Sequence, residues 1–209
     1  MNIAFIGIGN VGFALANNLQ KKGHHIVIGN EDLNSQSVKK ALQLNSELKV
    51  NGIQDAVNLS EIVFLATPYQ ANEMALKGIK FDGKTLVDCT NPVGAGITHA
   101  LNSVRSGSEV VQELAPDAKV VKAFTIYGFE NFIDSSFPNY NVKPAMLICG
   151  NDMEAKNQAS VLVEDLGFAA IDTGNLSQAL HLEHMTLLWV KMVRMNGHNP
   201  NFVWAALEK

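Results

Sequence analysis

Three glycines carry the first chemical signal. Gly7, Gly9 and Gly12 stand in G-x-G-x-x-G spacing within IGIGNVG, after an apolar run from Ile3 to Ile6 and before a helix-period segment and a second apolar run from Ile26 to Ile28. A strand, a glycine turn and a helix inside a unit of about 30 residues form the dinucleotide-binding fingerprint. Gly7 allows the tight turn out of the strand, Gly9 lets backbone N–H groups approach a diphosphate, and Gly12 lets the helix lie close to the strand. The free N–H groups of the helix's first turn, with its dipole, favour the ligand's negative charge. The alternative is a strand-to-helix turn that binds nothing.

Other chemistry-bearing residues are sparse. His181 and His184 lie at helical i, i+3 spacing with Glu183 between them, a pattern open to metal binding or proton relay, but no third ligand suggests itself and packed or solvated histidines are the plainer reading. His24, His25, His99 and His198 fall in predicted turns or loops and are assigned no role. Cys89 and Cys149 sit in or beside apolar runs, as unpaired core thiols do, and lack the spacing of a zinc site. No catalytic acid–base constellation and no metal site is expected.

The elements that must position the glycine loop alternate. Val11, Ala14, Leu15 and Leu19 share one helix face. Asn34 to Leu44 reads as a helix capped by Asn34 or Ser35, Leu48 to Val50 as a short strand and Gln54 to Asn58 as a helical turn. Strands follow at Glu61 to Ala66, Lys84 to Asp88, Lys119 to Ala123, Ala145 to Cys149 and Phe168 to Ile171, with helices at Gln70 to Leu76, Ser108 to Leu114 and Met153 to Leu166. Val93 to Gly107 reads mainly as loop. This alternation predicts an α/β fold, a Rossmann-type doubly wound and mostly parallel sheet covered on both faces. Its ligand crevice would lie at the carboxyl ends of the strands, where Thr67, Pro68, Asn91 and Pro92 fall.

Residues 1–174 are expected to form the dinucleotide-binding domain and 175–209 a C-terminal helical appendage. From Ser177 to Met195 a broad stripe of Leu180, His181, His184, Met185, Leu188, Trp189, Met192 and Met195 needs covering, by the core or by a second subunit. Asn201 to Glu208 is helix or extended tail.

The 209 residues are 47% hydrophobic and 17% charged, which is ordinary globular material. A net charge of −4 with scattered Lys and Arg leaves no basic stripe, so nucleic acid is not an expected partner. No apolar run reaches the roughly 18 residues of a membrane span and the chain starts on a strand, so a cytoplasmic protein without a membrane partner is expected.

IGIGNVG, VIGN, FLATPYQ, DCTNP, VVKAF, IYGFEN, LICGNDMEAK and EDLGFAAIDTG, in this order and followed by a long helix, are similar to the small NAD(P)-binding oxidoreductases that include NADPH-dependent reductases of the deazaflavin coenzyme F420. The same module occurs on metalloreductases of the six-transmembrane epithelial antigen type. The resemblance implies hydride transfer between a nicotinamide cofactor and a flavin or deazaflavin stacked on it, which asks the protein for positioning and electrostatics rather than for a nucleophile. It assigns Gly7, Ile8, Gly9, Asn10, Val11 and Gly12 to the diphosphate, and Thr67, Pro68 and Tyr69 to the cofactor's flank. Asn91, Pro92, Ala123 and Phe124 fall to the nicotinamide end. It also implies that the C-terminal helices complete an acceptor pocket, and a homodimer.

Two departures modify the carry-over. Where NADP-specific members carry Ser-Arg-Arg after the second strand, this chain has Asn30, Glu31 and Asp32. Carboxylates repel a 2′-phosphate and can bond a bare ribose diol, so these residues point to NAD while the resemblance points to NADP. Thr125 replaces an Asn common in relatives. Rival readings are a dehydrogenase or imine reductase acting on a small metabolite, and a non-catalytic NAD(P)-binding redox sensor.

Overall fold

A computed structural model describes residues 1–209. Its first unit is β1 (Asn2–Ile6), α1 (Asn10–Lys21) and β2 (His25–Gly29), then α2 (Gln36–Leu44), β3 (Lys49–Asn51) and α3 (Ile53–Asn58). Next come β4 (Ile62–Leu65), α4 (Asn72–Leu76), β5 (Thr85–Asp88), a small hairpin of β6 (Val93–Gly94) and β7 (Thr98–His99), α5 (Gly107–Leu114) and β8 (Lys119–Lys122). The chain closes with α6 (Glu130–Ile133), β9 (Ala145–Gly150), α7 (Met153–Asp165), β10 (Ala169–Asp172) and α8 (Ala179–Val190), the last continued by a π turn over Lys191–Met195.

The main sheet runs β10-β9-β8-β5-β4-β1-β2-β3. Strands β3, β2, β1, β4, β5 and β8 are parallel, the doubly wound order in which the chain reverses direction between β1 and β4. That gap is where such sheets bind ligands. β9 runs antiparallel to β8, and β10 parallel to β9, so the far edge departs from the parallel rule. β1, β4 and β5 are buried on both faces, which explains their near-continuous apolar sequences.

Two apolar layers cover the sheet. One gathers α1, α2, α7 and α8 around Phe5, Phe64, Leu15, Leu19 and Trp189; the other gathers α3, α4 and α5 around Val63, Leu65, Phe81 and Leu86. Residues beyond 175 share the first layer through Ala179, Leu182, Trp189 and Val193. The C-terminal tail is extended rather than helical: the Trp204 carbonyl accepts from Ala145 N–H at 2.8 Å and Trp189 donates to the Phe202 carbonyl at 2.8 Å.

Three local readings are corrected. The segment before α4 opens as a 3-10 turn at Tyr69–Ala71, in which the Pro68 carbonyl accepts from Ala71 N–H at 2.9 Å, three residues on rather than four. The 93–107 stretch contains the β6–β7 hairpin. On α8 the buried face is Leu182, Glu183, Thr186, Trp189 and, in the π turn, Val193, whereas His181, His184, Leu188 and Met195 of the expected stripe are exposed. A stripe drawn by polarity rotates off the true face because that face carries a buried glutamate.

Candidate active site

The glycine loop is built as its spacing demands. Gly7 has φ +94°, and a Cβ there would lie 2.6 Å from the Ala66–Thr67 peptide. Gly12 packs so close that a Cβ would press on the Gly7 carbonyl group and approach the Ala66 Cβ to 3.3 Å. Gly9 differs: a Cβ would meet no protein atom within 4 Å. Protein packing therefore explains two glycines, and the third keeps open a surface facing outward.

Gly9 is also the N-cap of α1 and offers no side-chain cap, whereas Ser35, Ser106 and Asp152 cap α2, α5 and α7. The first intrahelical bond is Phe13 N–H to the Gly9 carbonyl at 2.8 Å, so the N–H groups of Asn10, Val11 and Gly12 precede the helix's own acceptors. Gly9 and Asn10 are exposed, Val11 half-buried and Ile8 buried. A cavity of about 510 Å³ opens beside Ile8, Gly9 and Asn10, between α1, α2 and α6, walled by Phe13, Phe129 and Ile133. A larger one of about 600 Å³ lies under residues 134–144 toward the carboxyl end of α1, beside Lys21 and Lys22, and adjoins the first at Asn18, Lys21 and Ile133.

At the end of β2 the Asn30 side chain accepts from Asp32 N–H at 2.9 Å, and Asp32 from Asn34 N–H at 2.9 Å, a pair of turns that leads into the Ser35 cap. Glu31 is exposed, and its Oε1 accepts from Ile53 N–H at 2.9 Å, the first residue of α3. The carboxylate is therefore pinned at the sheet's carboxyl edge.

The nicotinamide-end residues meet at the ends of β4, β5 and β8. Thr67 and Tyr69 are half-buried and Pro68 exposed; Tyr69 and Pro92 both border Gly107, where a Cβ would lie 2.9 Å from Tyr69 and 3.0 Å from Pro92. Burial, then the charges of Glu183 and Asp88, raises the Tyr69 phenol above its ordinary value. Asn91 Oδ1 is buried with no hydrogen-bond partner. Ala123 is wholly buried. Phe124 corrects the sequence assignment in part. Its backbone reaches the edge in a left-handed conformation (φ +55°), but that turn drives the ring into the core between Phe64, at 5.7 Å, and Phe132, at 6.0 Å. It holds the chain's direction and does not face a ligand.

Sequence reasoning missed a buried polar network behind this edge. Lys122, wholly buried, lies 3.2 Å from Asp88 and 3.1 Å from Glu183, each at most 1% exposed. Glu183 also accepts from Gly107 N–H at 2.9 Å and Ser108 N–H at 3.3 Å at the start of α5, and pairs with His99 Nε2 at 2.8 Å. His99 Nδ1 faces the N–H groups of Leu101 and Ser103, at 3.3 and 3.2 Å, so Nδ1 accepts and Nε2 carries the proton toward Glu183. Burial pulls the Lys122 ammonium down, but Asp88 and Glu183 outweigh it and hold it above the usual lysine value. The signal available in the sequence was a lysine inside the apolar strand KVVKA beside another strand ending in Asp88. Through Glu183, and through Thr186 donating to the Thr125 carbonyl at 2.9 Å, α8 is fastened across the ends of β8 and α5. Of the two histidines weighed as ligands, His184 bonds Ser103 at 2.9 Å and His181 is exposed.

The doubly wound order, the uncapped α1 and the open Gly9 place the chain in the Rossmann class of nucleotide-binding folds, shared by NAD(P)-dependent oxidoreductases. Comparison sharpens this. Residues 2–92 match the family model described as NADP oxidoreductase, coenzyme F420-dependent. The chain is 28% identical over 188 residues to Metalloreductase STEAP3 of Rattus norvegicus, covering 88% of this chain and 36% of the relative. It therefore spans about a third of the length of that curated relative. A crystal structure of a protein from Arthrobacter sp. FB24, assigned as an F420-dependent NADP reductase, is 26% identical with a TM-score of 0.82 over 100% of both chains. A reductive aminase from Aspergillus terreus in complex with NADPH and ethyl-5-oxohexanoate shares the fold at 14% identity, with a TM-score of 0.67, over 92% of this chain and 61% of that one. The resemblance read from the motifs is borne out at the level of sequence and fold.

Proposed function

We propose that this chain is an NAD(P)-dependent oxidoreductase that passes a hydride between a nicotinamide dinucleotide and a flavin- or deazaflavin-like acceptor. The observation that carries the reading is Gly9, whose missing side chain no protein contact requires, at the head of a helix with no side-chain cap. When bound, the dinucleotide supplies the hydride chemistry. The N–H groups of Asn10, Val11 and Gly12 bind its diphosphate through the first turn of α1. Glu31 faces the adenosine ribose; Thr67, Pro68 and Tyr69 flank the cofactor, and Asn91 and Pro92 border the nicotinamide. α8 walls the far side of the crevice and restricts water there. Its outer face, with Leu188 50% and Met195 64% exposed, supports a homodimer contact.

The pinned charge of Glu31 supports NAD(H) over NADP(H), although the matched family and the Arthrobacter relative are named for NADP. The test of the function is oxidation of deuterated NADH and NADPH against flavins, a deazaflavin, ferric chelates and small imines. Transfer of deuterium to a deazaflavin is the expected result. Turnover of small imines alone would replace this reading with an imine reductase, and binding without turnover of any acceptor would replace it with a sensor.

A further inference from the structure

A chain of buried hydrogen bonds links Asp88 to Thr67, and the direction of every bond in it is fixed by the carboxylate. Asp88 is wholly buried and receives Thr90 N–H at 2.9 Å, Thr90 Oγ1–H at 2.7 Å, Ser108 Oγ–H at 2.6 Å and Lys122 Nζ at 3.2 Å. Faced by these donors, its oxygens only accept. Thr90 therefore spends its single hydroxyl hydrogen on Asp88, and its oxygen must accept from Asn72, 3.0 Å away. That sets the Asn72 amide: its NH₂ faces Thr90 and its Oδ1 faces Thr67. Thr67 in turn donates its hydrogen to Asn72 Oδ1 at 2.6 Å. Asn72 and Thr90 are 2% and 3% exposed, so water does not compete for these bonds.

The consequence falls on the half-buried end. Thr67 Oγ1 has no hydrogen left and offers lone pairs only. Its backbone lies against the glycine loop, since the Ala66–Thr67 peptide is what a Cβ on Gly7 would strike.

We propose that Thr67 is a specificity-determining residue, an obligate hydrogen-bond acceptor that selects a donor group on the nicotinamide half of the dinucleotide, with Asn72 and Thr90 as the positioning residues that impose this polarity. The inference rests on the dinucleotide reading of the site. The chemistry selected is an N–H or O–H: the nicotinamide carboxamide, or a hydroxyl of its ribose. A phosphate oxygen, which carries no hydrogen, is refused at this point, so the diphosphate is confined to the head of α1. A buried carboxylate beneath Lys122 thus decides what a ligand must present at the surface.

The experiment compares dissociation constants, by equilibrium dialysis, for three probes: the natural oxidised dinucleotide, its acetylpyridine analogue, which keeps the ring carbonyl and lacks the N–H donors, and a dinucleotide with a 2′,3′-dideoxyribose on the nicotinamide side, which lacks both hydroxyl donors. Wild-type protein is expected to bind one of the two altered probes roughly five- to tenfold more weakly than the natural ligand, the worth of one uncharged hydrogen bond; which probe suffers identifies carboxamide or ribose. Thr67→Val should lower natural affinity by that factor and erase the discrimination, Thr67→Ser should restore both, and Thr90→Val should reduce discrimination with Thr67 in place, because Asn72 is then free to turn over. Variants are first shown to be folded by circular dichroism. Discrimination that survives in folded Thr67→Val, or a loss spread equally over all three probes, overturns the proposal while leaving dinucleotide binding intact. No binding of the natural ligand to wild-type protein overturns the underlying reading instead.

Discussion

A Cβ at Gly9 would meet nothing in the protein, and its backbone (φ −70°) suits any residue, so Gly9→Val should stay folded, with a loss of about 1 kcal/mol because valine is a poor N-cap for α1. Its dinucleotide affinity should fall at least about tenfold, since the added methyls fill the space through which the diphosphate approaches. Thermal unfolding together with a binding titration checks both halves. Gly12→Ala has the opposite character: its methyl presses on the Gly7 carbonyl group, and a loss of about 1–3 kcal/mol in stability is expected. Glu31 affords a sharper test than a charge reversal, because Gln keeps an oxygen for Ile53 N–H and removes only the charge. If Glu31 repels a 2′-phosphate by on the order of 1–3 kcal/mol, Glu31→Gln shifts preference toward NADP(H) by roughly five- to 150-fold. An unchanged ratio of NADH to NADPH dissociation constants in this variant would mean the adenosine ribose lies elsewhere. At this scale the glycine roles were legible, because spacing encodes backbone geometry directly. The side-chain directions of Phe124 and Glu31 were not, since one depends on a left-handed φ and the other on a helix distant in sequence.

Among the elements, β1, α1, β2, β4, β5 and β8 could be read from apolar runs bounded by turn residues, and they position the loop. The face of α8 could not, because Glu183 is buried only by virtue of Lys122, His99 and the start of α5, which the sequence scatters. Removing one partner from such a network strands the others. Lys122→Met should therefore cost about 3–5 kcal/mol, measured by urea unfolding at neutral pH. The pH dependence has a definite sign. The folded-state value of Lys122 lies above the ordinary 10.5, so its contribution is complete below that value and is lost as pH rises through the still higher folded value. The stability gap between wild type and Lys122→Met should accordingly hold from neutral to about pH 10 and narrow above it; a gap that closes well below that range would contradict the ion-pair account.

For the whole molecule, the sheet buries both thiols. Burial pushes Cys149 up to about 12 and Cys89 well above its usual value, so native protein should resist alkylation at pH 8 and both thiols should react in urea. Trp189, 1% exposed, should escape aqueous quenchers, while sedimentation of Leu188→Glu should show a monomer if the outer face of α8 joins two subunits. No helix is long and apolar enough to cross a membrane. The central claim, that a nicotinamide dinucleotide binds through the first turn of α1, is tested most directly by equilibrium dialysis of NADH and NADPH against wild type and Gly9→Val. Saturable binding of at least one dinucleotide to wild type, lost in a Gly9→Val protein shown to be folded, is the predicted result; equal binding by the two proteins, or none by wild type, would contradict it.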